Sequence, residues 1–379
     1  MSTMARSRPA PQTERRGAFE YVFPAIRGVQ AQREFYVTMC PLRLIPRLFV
    51  FDEEELLPEL RAQRTLNRAR VPEIARYILD NQGSYTFSAL TASVDADIRF
   101  EGFATDGPVD RIGMLSIPMS AKFVINDGQH RRAAIEEALR DNPDLGDESI
   151  AVVLFLDLGL NRCQQMFADL NKYAIRPAPS LSVLYDQRDR LACIARQVCF
   201  QSRTLTDLVE MEKSNLSIRS RKLFTLSAVR TCTKGLLDGF SDMAYDEQAA
   251  LATDFWAALI DIFPDWKRVA SQEVTAGDIR RDFLHSHGVV LHALGKVGNH
   301  LVTASPSPRP WREKLEPLRK IDWSRANREM WEGRALVGGK ISKSRANVIL
   351  TTNALRLAMG QKLNVEEQAV EDAFKGGIR

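Results

Sequence analysis

Asp127-Gly128-Gln129-His130-Arg131 gathers a carboxylate, an imidazole and a guanidinium within five residues and sets a glycine among them. These residue types suit the holding of anions. Histidine and arginine supply positive charge, an arginine fork can donate twice to one phosphate, and glycine lets another molecule approach the backbone. Phe123, Val124 and Ile125 just upstream predict a buried strand over residues 122–126. Ala133, Ala134, Ile135, Ala138 and Leu139 recur at helical spacing and predict an amphipathic helix that stops before Pro143. Asp127 is then a natural N-cap. A strand, a tight glycine turn and a helix start carrying His130, Arg131 and Arg132 make a phosphate site, because a helix N-terminus offers unpaired N–H groups and a positive dipole end. The same pattern also starts helices that bind nothing, with His130 packed in the turn and Arg132 solvated. The pentapeptide alone leaves both readings open.

The pentapeptide is the signature of the DGQHR family. It resembles the Gly-x-His-Arg phosphate loop of sulfiredoxins and the Gly-x-Arg-Arg box of ParB partition proteins, where a similarly placed loop holds the phosphates of ATP or CTP. The surroundings are similar too: Arg64, Arg68 and Arg70 approach the box, then come a helix over 71–79, a strand over 85–94, and Ile117-Pro118 before the strand into the box. Gln129 stands where sulfiredoxins have their catalytic cysteine, so sulfiredoxin thiol chemistry is not expected. Further segments resemble the DNA phosphorothioation family DndB: Tyr21-Val22-Phe23-Pro24-Ala25-Ile26-Arg27-Gly28, the run from Asp52-Glu53-Glu54-Glu55-Leu56 to Gln63-Arg64-Thr65-Leu66-Asn67, and Gly339-Lys340-Ile341-Ser342-Lys343-Ser344-Arg345. That resemblance implies a DNA-binding repressor of its own modification operon with nucleotide-dependent behaviour. It does not imply that the chain performs the sulfur chemistry.

The elements that must position these residues follow from the rest of the chain. Its 379 residues allow about two or three domains. The 45% hydrophobic and 26% charged fractions are those of a globular protein, and a net charge of +4 permits nucleic-acid binding without requiring it. Cys40, Cys163, Cys193, Cys199 and Cys232 are odd in number and include no CxxC pair, which points away from a disulfide framework or zinc ribbon and towards a reducing cytosol. No stretch approaches the length of a membrane helix. Residues 1–17 carry Arg6, Arg8, Arg15 and Arg16 without an apolar core and read as a disordered basic tail.

Residues 35–39 have strand character, and Leu56, Leu57 and Leu60 predict a helix behind the acidic run 52–55. Arg61, Arg64, Arg68 and Arg70 are spaced to converge on one anion or to pair with those acids. Residues 95–109 read as a surface loop. Residues 150–156 are almost continuously apolar, as in a central strand. A helix from Asn161 carries Cys163, Phe167 and Leu170 and ends near Asn171. By the family resemblance Asn171 contacts the box; as a plain helix end it is a C-cap.

The fold class expected is α+β, with a ParB/sulfiredoxin-like α/β domain at 18–160 and a mainly helical domain at 161–379. In the helical part, Arg219, Arg221 and Lys222 precede a helix expected over 223–230, an arrangement suited to DNA phosphates or simply solvated. Residues 309–345 hold eleven Lys or Arg against five acids, interleaved with Trp311, Trp323 and Trp331. Basic segments with aromatics suit nucleic acid. The resemblance favours DNA contact for Lys340, Lys343 and Arg345, with the tryptophans left to the core.

Lys340-Ile341-Ser342-Lys343-Ser344 mimics a synthetase KMSKS loop, but no HIGH motif precedes it. Residues 333–340 approach a Walker A loop but have Gly339 where lysine is required. His285, His287, His292 and His300 lack zincin spacing, and the leucines among them mark a packed helix.

These readings combine into a cytoplasmic, nucleoid-associated, homo-oligomeric repressor. It binds double-stranded DNA at the promoter of its own operon. ATP at the box, through Asp127, Gly128, Gln129, His130, Arg131 and Arg64, tunes that hold, with at most slow regulatory hydrolysis. The alternative is a ParB-like nuclease or NTPase acting on DNA within the modification pathway.

Overall fold

Residues 20–41 alternate in burial and turn back on themselves, and that hairpin starts the sheet. β1 (Glu20–Gln30) pairs antiparallel with β2 (Arg33–Pro41) across Ala31 and Gln32, whose φ values of 49° and 64° give the positive-φ turn that matches strand twist. The computed structural model describes residues 19–49, 68–158, 162–172, 177–304 and 308–377. The expected basic tail and the acidic helix with Arg61 and Arg64 lie outside the described residues. Two units divide the chain, Met1–Ile175 and Arg176–Arg379.

In the first unit, β3 (Leu90–Asp95), β4 (Arg99–Gly102), β5 (Ile112–Pro118), β6 (Lys122–Asp127) and β7 (Ser149–Leu156) complete a seven-stranded sheet of order β4-β5-β1-β2-β7-β3-β6. Among the described strands of this sheet, β3 and β7 run parallel and the other neighbours antiparallel. Among the described residues its α-helices are α1 (Ile45–Leu48), α2 (Val71–Asp80), α3 (Gln129–Asp141) and α4 (Cys163–Lys172). Leu90, Leu115, Ile117, Ile125, Ile150, Val152 and Leu154 from the sheet share one core with Ile45, Ile78, Ala134, Ile135 and Ala138 from the helices. This is the α+β class read from the sequence.

Expectations about two stretches of this unit change. The strand expected over 85–94 starts only at Leu90, and residues 95–109 contain the edge strand β4. β7 is interior to the sheet, as expected of the apolar run 150–156, and alternates buried with half-buried residues. The seam falls at 175 where the sequence suggested 160, because α4 packs on β6.

The second unit is built around α8 (Gly288–Ala304). It also contains α5 (Arg190–Gln201), α6 (Leu226–Leu236), α7 (Tyr245–Ile262), α9 (Arg345–Ala358) and α10 (Val365–Gly376). α8 packs on α6 and α9, and ten of its residues are buried. Glycines permit the α6–α8 approach: a Cβ on Gly295 would collide with the Cys232 carbonyl, and one on Gly235 would lie 3.3 Å from the Lys296 nitrogen. The helix expected over 223–230 instead begins at Leu226, capped by Thr225, while Phe224 and Thr225 pair with Val209 and Glu210. Trp311, Trp323 and Trp331 are core residues, as read from the sequence, together with Trp256 and Trp266. Among the described residues no helix is long and apolar enough to cross a membrane.

Candidate functional site

The box sits where β6 hands over to α3. Gly128, not Asp127, is the N-cap: its φ of 104° is left-handed, and a Cβ there would strike the Leu90 side chain. Asp127 is the last residue of β6, paired with Thr91. Glycine offers no side-chain cap, so the first N–H groups of α3, which have no intrahelical acceptor, have no capping side chain either.

Arg131 turns inward. Its Nη1 donates to the Ser88 carbonyl at 2.6 Å, to the Ser88 hydroxyl and to the Ala89 carbonyl at 2.9 Å, while Nη2 pairs with Asp127 at 2.5 Å. Its side chain is only 16% exposed. This explains the short strand: the carbonyls of residues 88 and 89 are satisfied by a guanidinium. Arg132 is likewise not solvated. It donates to the Phe49 carbonyl at 2.9 Å and the Pro46 carbonyl at 3.2 Å and pairs with Glu136 at 2.5 Å. Gln129 Nε2 reaches back to the Ile125 carbonyl at 3.4 Å.

Arg70 lies close enough to His130 for its charge to act on the imidazole. Burial, and then the charge of Arg70, lower the His130 pKa below its ordinary value. Arg70 itself is exposed at the start of α2, which packs against α3. Arg64 lies outside the described residues. Asn171 is in the last turn of α4, and its side chain is outside the described set.

In the second unit, two basic stretches more than a hundred residues apart are joined by Arg280, which no sequence motif marks, and by Arg325, one of the eleven cations counted in residues 309–345. Arg280 Nη2 donates to the carbonyls of Ser217 at 2.8 Å, Ile218 at 3.4 Å and Ser220 at 3.1 Å, pinning the loop that carries Arg219 and Arg221. Burial lowers its pKa. Arg325 donates to the Arg281 carbonyl at 3.3 Å and to the Gly339 carbonyl at 2.9 Å, next to Lys340. Arg219, Arg221, Lys340, Lys343 and Arg345 are exposed. Lys222 differs, because its ammonium donates to the Thr206 and Asp207 carbonyls at 3.0 Å each. The signal that could have exposed Arg280 and Arg325 is weak: both sit in ordinary charged runs.

The near-Walker stretch is a hairpin. Leu336-Val337 pairs with Lys340-Ile341 across Gly338 and Gly339, at φ 58° and 72°, and the Glu332 carboxylate accepts from both glycine N–H groups. The KMSKS-like stretch runs from the second strand of that hairpin to a helix start, where Ser344 caps α9 by accepting from Asn347 N–H at 3.2 Å. Arg334, counted in the basic surplus, is buried against Glu371 at 2.9 Å.

The four histidines have different partners. His285 accepts from Trp266 at 3.0 Å, His287 meets the Arg280 carbonyl at 2.7 Å, and His300 meets Arg356 at 3.0 Å. His292 lies among lysines. Among the described residues no three His, Cys, Asp or Glu side chains come together to hold a metal.

A family model described as DndB: DNA-sulfur modification-associated matches residues 23–362. No curated protein and no solved structure matches the chain.

Proposed function

The chain belongs to the DndB family of DNA-sulfur modification-associated proteins, and from that premise we propose that it is a DNA-binding repressor of its own modification operon, tuned by ATP at the Asp127–Arg131 box. The observation that carries the DNA half is the convergence on neighbouring elements of Arg219 and Arg221 with Lys340, through Arg280 and Arg325. Exposed cations fixed to one scaffold suit a phosphate backbone, which positions a protein without specifying sequence. Lys222 contributes by holding that loop, while Lys343 and Arg345 extend the face.

Support for the ATP half is the uncapped start of α3 with Arg70 and His130 beside it. Gly128 allows close backbone approach, and Arg131 holds the turn in shape for a phosphate rather than touching it. In this reading the first unit works as a ParB- or sulfiredoxin-like phosphate domain and the protein acts as a homo-oligomer at the nucleoid. Hydrolysis, where it occurs, is slow and regulatory, because the box's own carboxylate, Asp127, is held by Arg131.

A mobility shift on the protein's own upstream promoter, against scrambled duplex of equal length, with and without ATP, tests both halves. Preferential, ATP-responsive retardation of the promoter is the expected outcome. Equal weak retardation of both duplexes, unchanged by ATP, overturns the repressor.

A further inference from the structure

We propose that Lys234, His292, Lys296 and Lys343 form a discrete phosphate-binding subsite on the second unit. The idea deepens the DNA reading and rests on it for the origin of the phosphate. Gly288, His292 and Lys296 follow one another at four-residue intervals, so they line one face of α8. The Lys343 ammonium lies over the first of them, 3.4 Å from where a Gly288 Cβ would stand. The His292 ring lies 3.4 Å from the corresponding position at Gly235 on α6, and the charge of Lys234, the residue before that glycine, acts on His292. Three separate elements therefore deliver basic groups to one strip.

The charges acting on His292 are Lys296 from its own helix, Lys343 from the stretch before α9, and Lys234 from α6, all of one sign. Lys343 also sits at the N-terminal turn of α8, where a cation opposes the helix dipole. Like charges placed together against a dipole are unfavourable in isolation and become favourable around an anion. Burial foremost, with those three lysines, pushes the His292 pKa down to about 4; Lys343 is exposed overall, and the protein packed around it partly desolvates it and lowers its pKa. Without an anion the imidazole is thus neutral at neutral pH. A phosphate among the lysines would draw a proton onto it.

Backbone phosphates of DNA and the phosphates of a nucleotide share this chemistry, and the experiment separates them. The full chain is titrated with duplex promoter DNA in one arm and with ATP in another, following the His292 imidazole proton by NMR, assigned by His292→Gln. The expected result is that duplex DNA raises the His292 pKa towards its ordinary value of about 6.5. Lys296→Ala and Lys343→Ala should abolish the change and weaken DNA binding roughly fivefold each, about the worth of one released counterion near physiological salt. Both lysines can be removed without opening the core.

A response to ATP alone would keep the subsite and assign it to a nucleotide, removing it from the DNA face. A promoter that binds through Arg219 and Arg221 while His292 stays unchanged overturns the subsite and leaves the repressor standing. No response and no DNA binding overturns both.

Discussion

The Arg131 guanidinium and the Asp127 carboxylate, four residues apart across the Gly128 turn, lie 2.5 Å from each other. The pair closes the box on itself, and the remaining Arg131 donors tie it to Ser88 and Ala89. Arg131→Ala should therefore cost about 1–3 kcal/mol in urea unfolding, through carbonyls left without a donor. An unfolding midpoint equal to the parent's would show that these contacts do not hold the turn.

His130→Ala and Arg70→Ala should behave oppositely, leaving stability nearly unchanged and weakening ATP binding roughly tenfold each, by loss of a charged contact. The lowered His130 pKa sets a sign. The free imidazole is neutral, so binding that protonates it takes up a proton and tightens as pH falls. Calorimetry in buffers of different ionisation enthalpy reads that uptake, and no uptake by the parent would remove His130 from the phosphate.

His287 carries a pH prediction for the second unit. Burial is the main cause of its pKa falling to about 4, below the ordinary value. The unfolded chain then binds the extra proton first, so stability is fully present above about pH 6.5 and is lost as pH falls towards about 4. The loss amounts to roughly 3 kcal/mol. His287→Gln, which keeps an N–H for the Arg280 carbonyl, should flatten that dependence in urea titrations at several pH values. An equally steep loss in the variant would assign it to other groups.

Glu371 is fully buried and grips Arg334 with both oxygens. Removing it by Glu371→Ala leaves an unmatched guanidinium in the interior and should destabilise by roughly 3–5 kcal/mol. Thermal unfolding reads this, and a change within error would mean water reaches Arg334.

Arg219→Ala and Arg221→Ala should each weaken DNA binding evenly across sequences and lower the salt slope by about one. The same change at Lys222, whose ammonium is bound to carbonyls, should act on loop order more than on the slope. Affinity measured at several salt concentrations separates the two, and equal slope changes at all three positions would make Lys222 a phosphate ligand.

Local features were legible in the sequence. β6, the glycine turn and α3 follow from an apolar run, a breaker and a helical repeat; the core tryptophans and the α+β class follow from similar patterning. Long-range side-chain traffic was not. Asp127 reads as a cap until Gly128 takes the left-handed position, and residues 85–89 read as strand until Arg131 supplies donors from across the turn. Arg132 and Arg334 read as surface charge, and the fold buries both against partners distant in sequence.

The sequence by itself determined which residues form the box and which stretches are basic, because those depend on neighbours along the chain. Only the tertiary structure decided which cations remain free for a ligand. A guanidinium's role depends on the acceptors within about 3 Å. Ser88, Ser217, Gly339 and Glu371 reach their arginines only through folding.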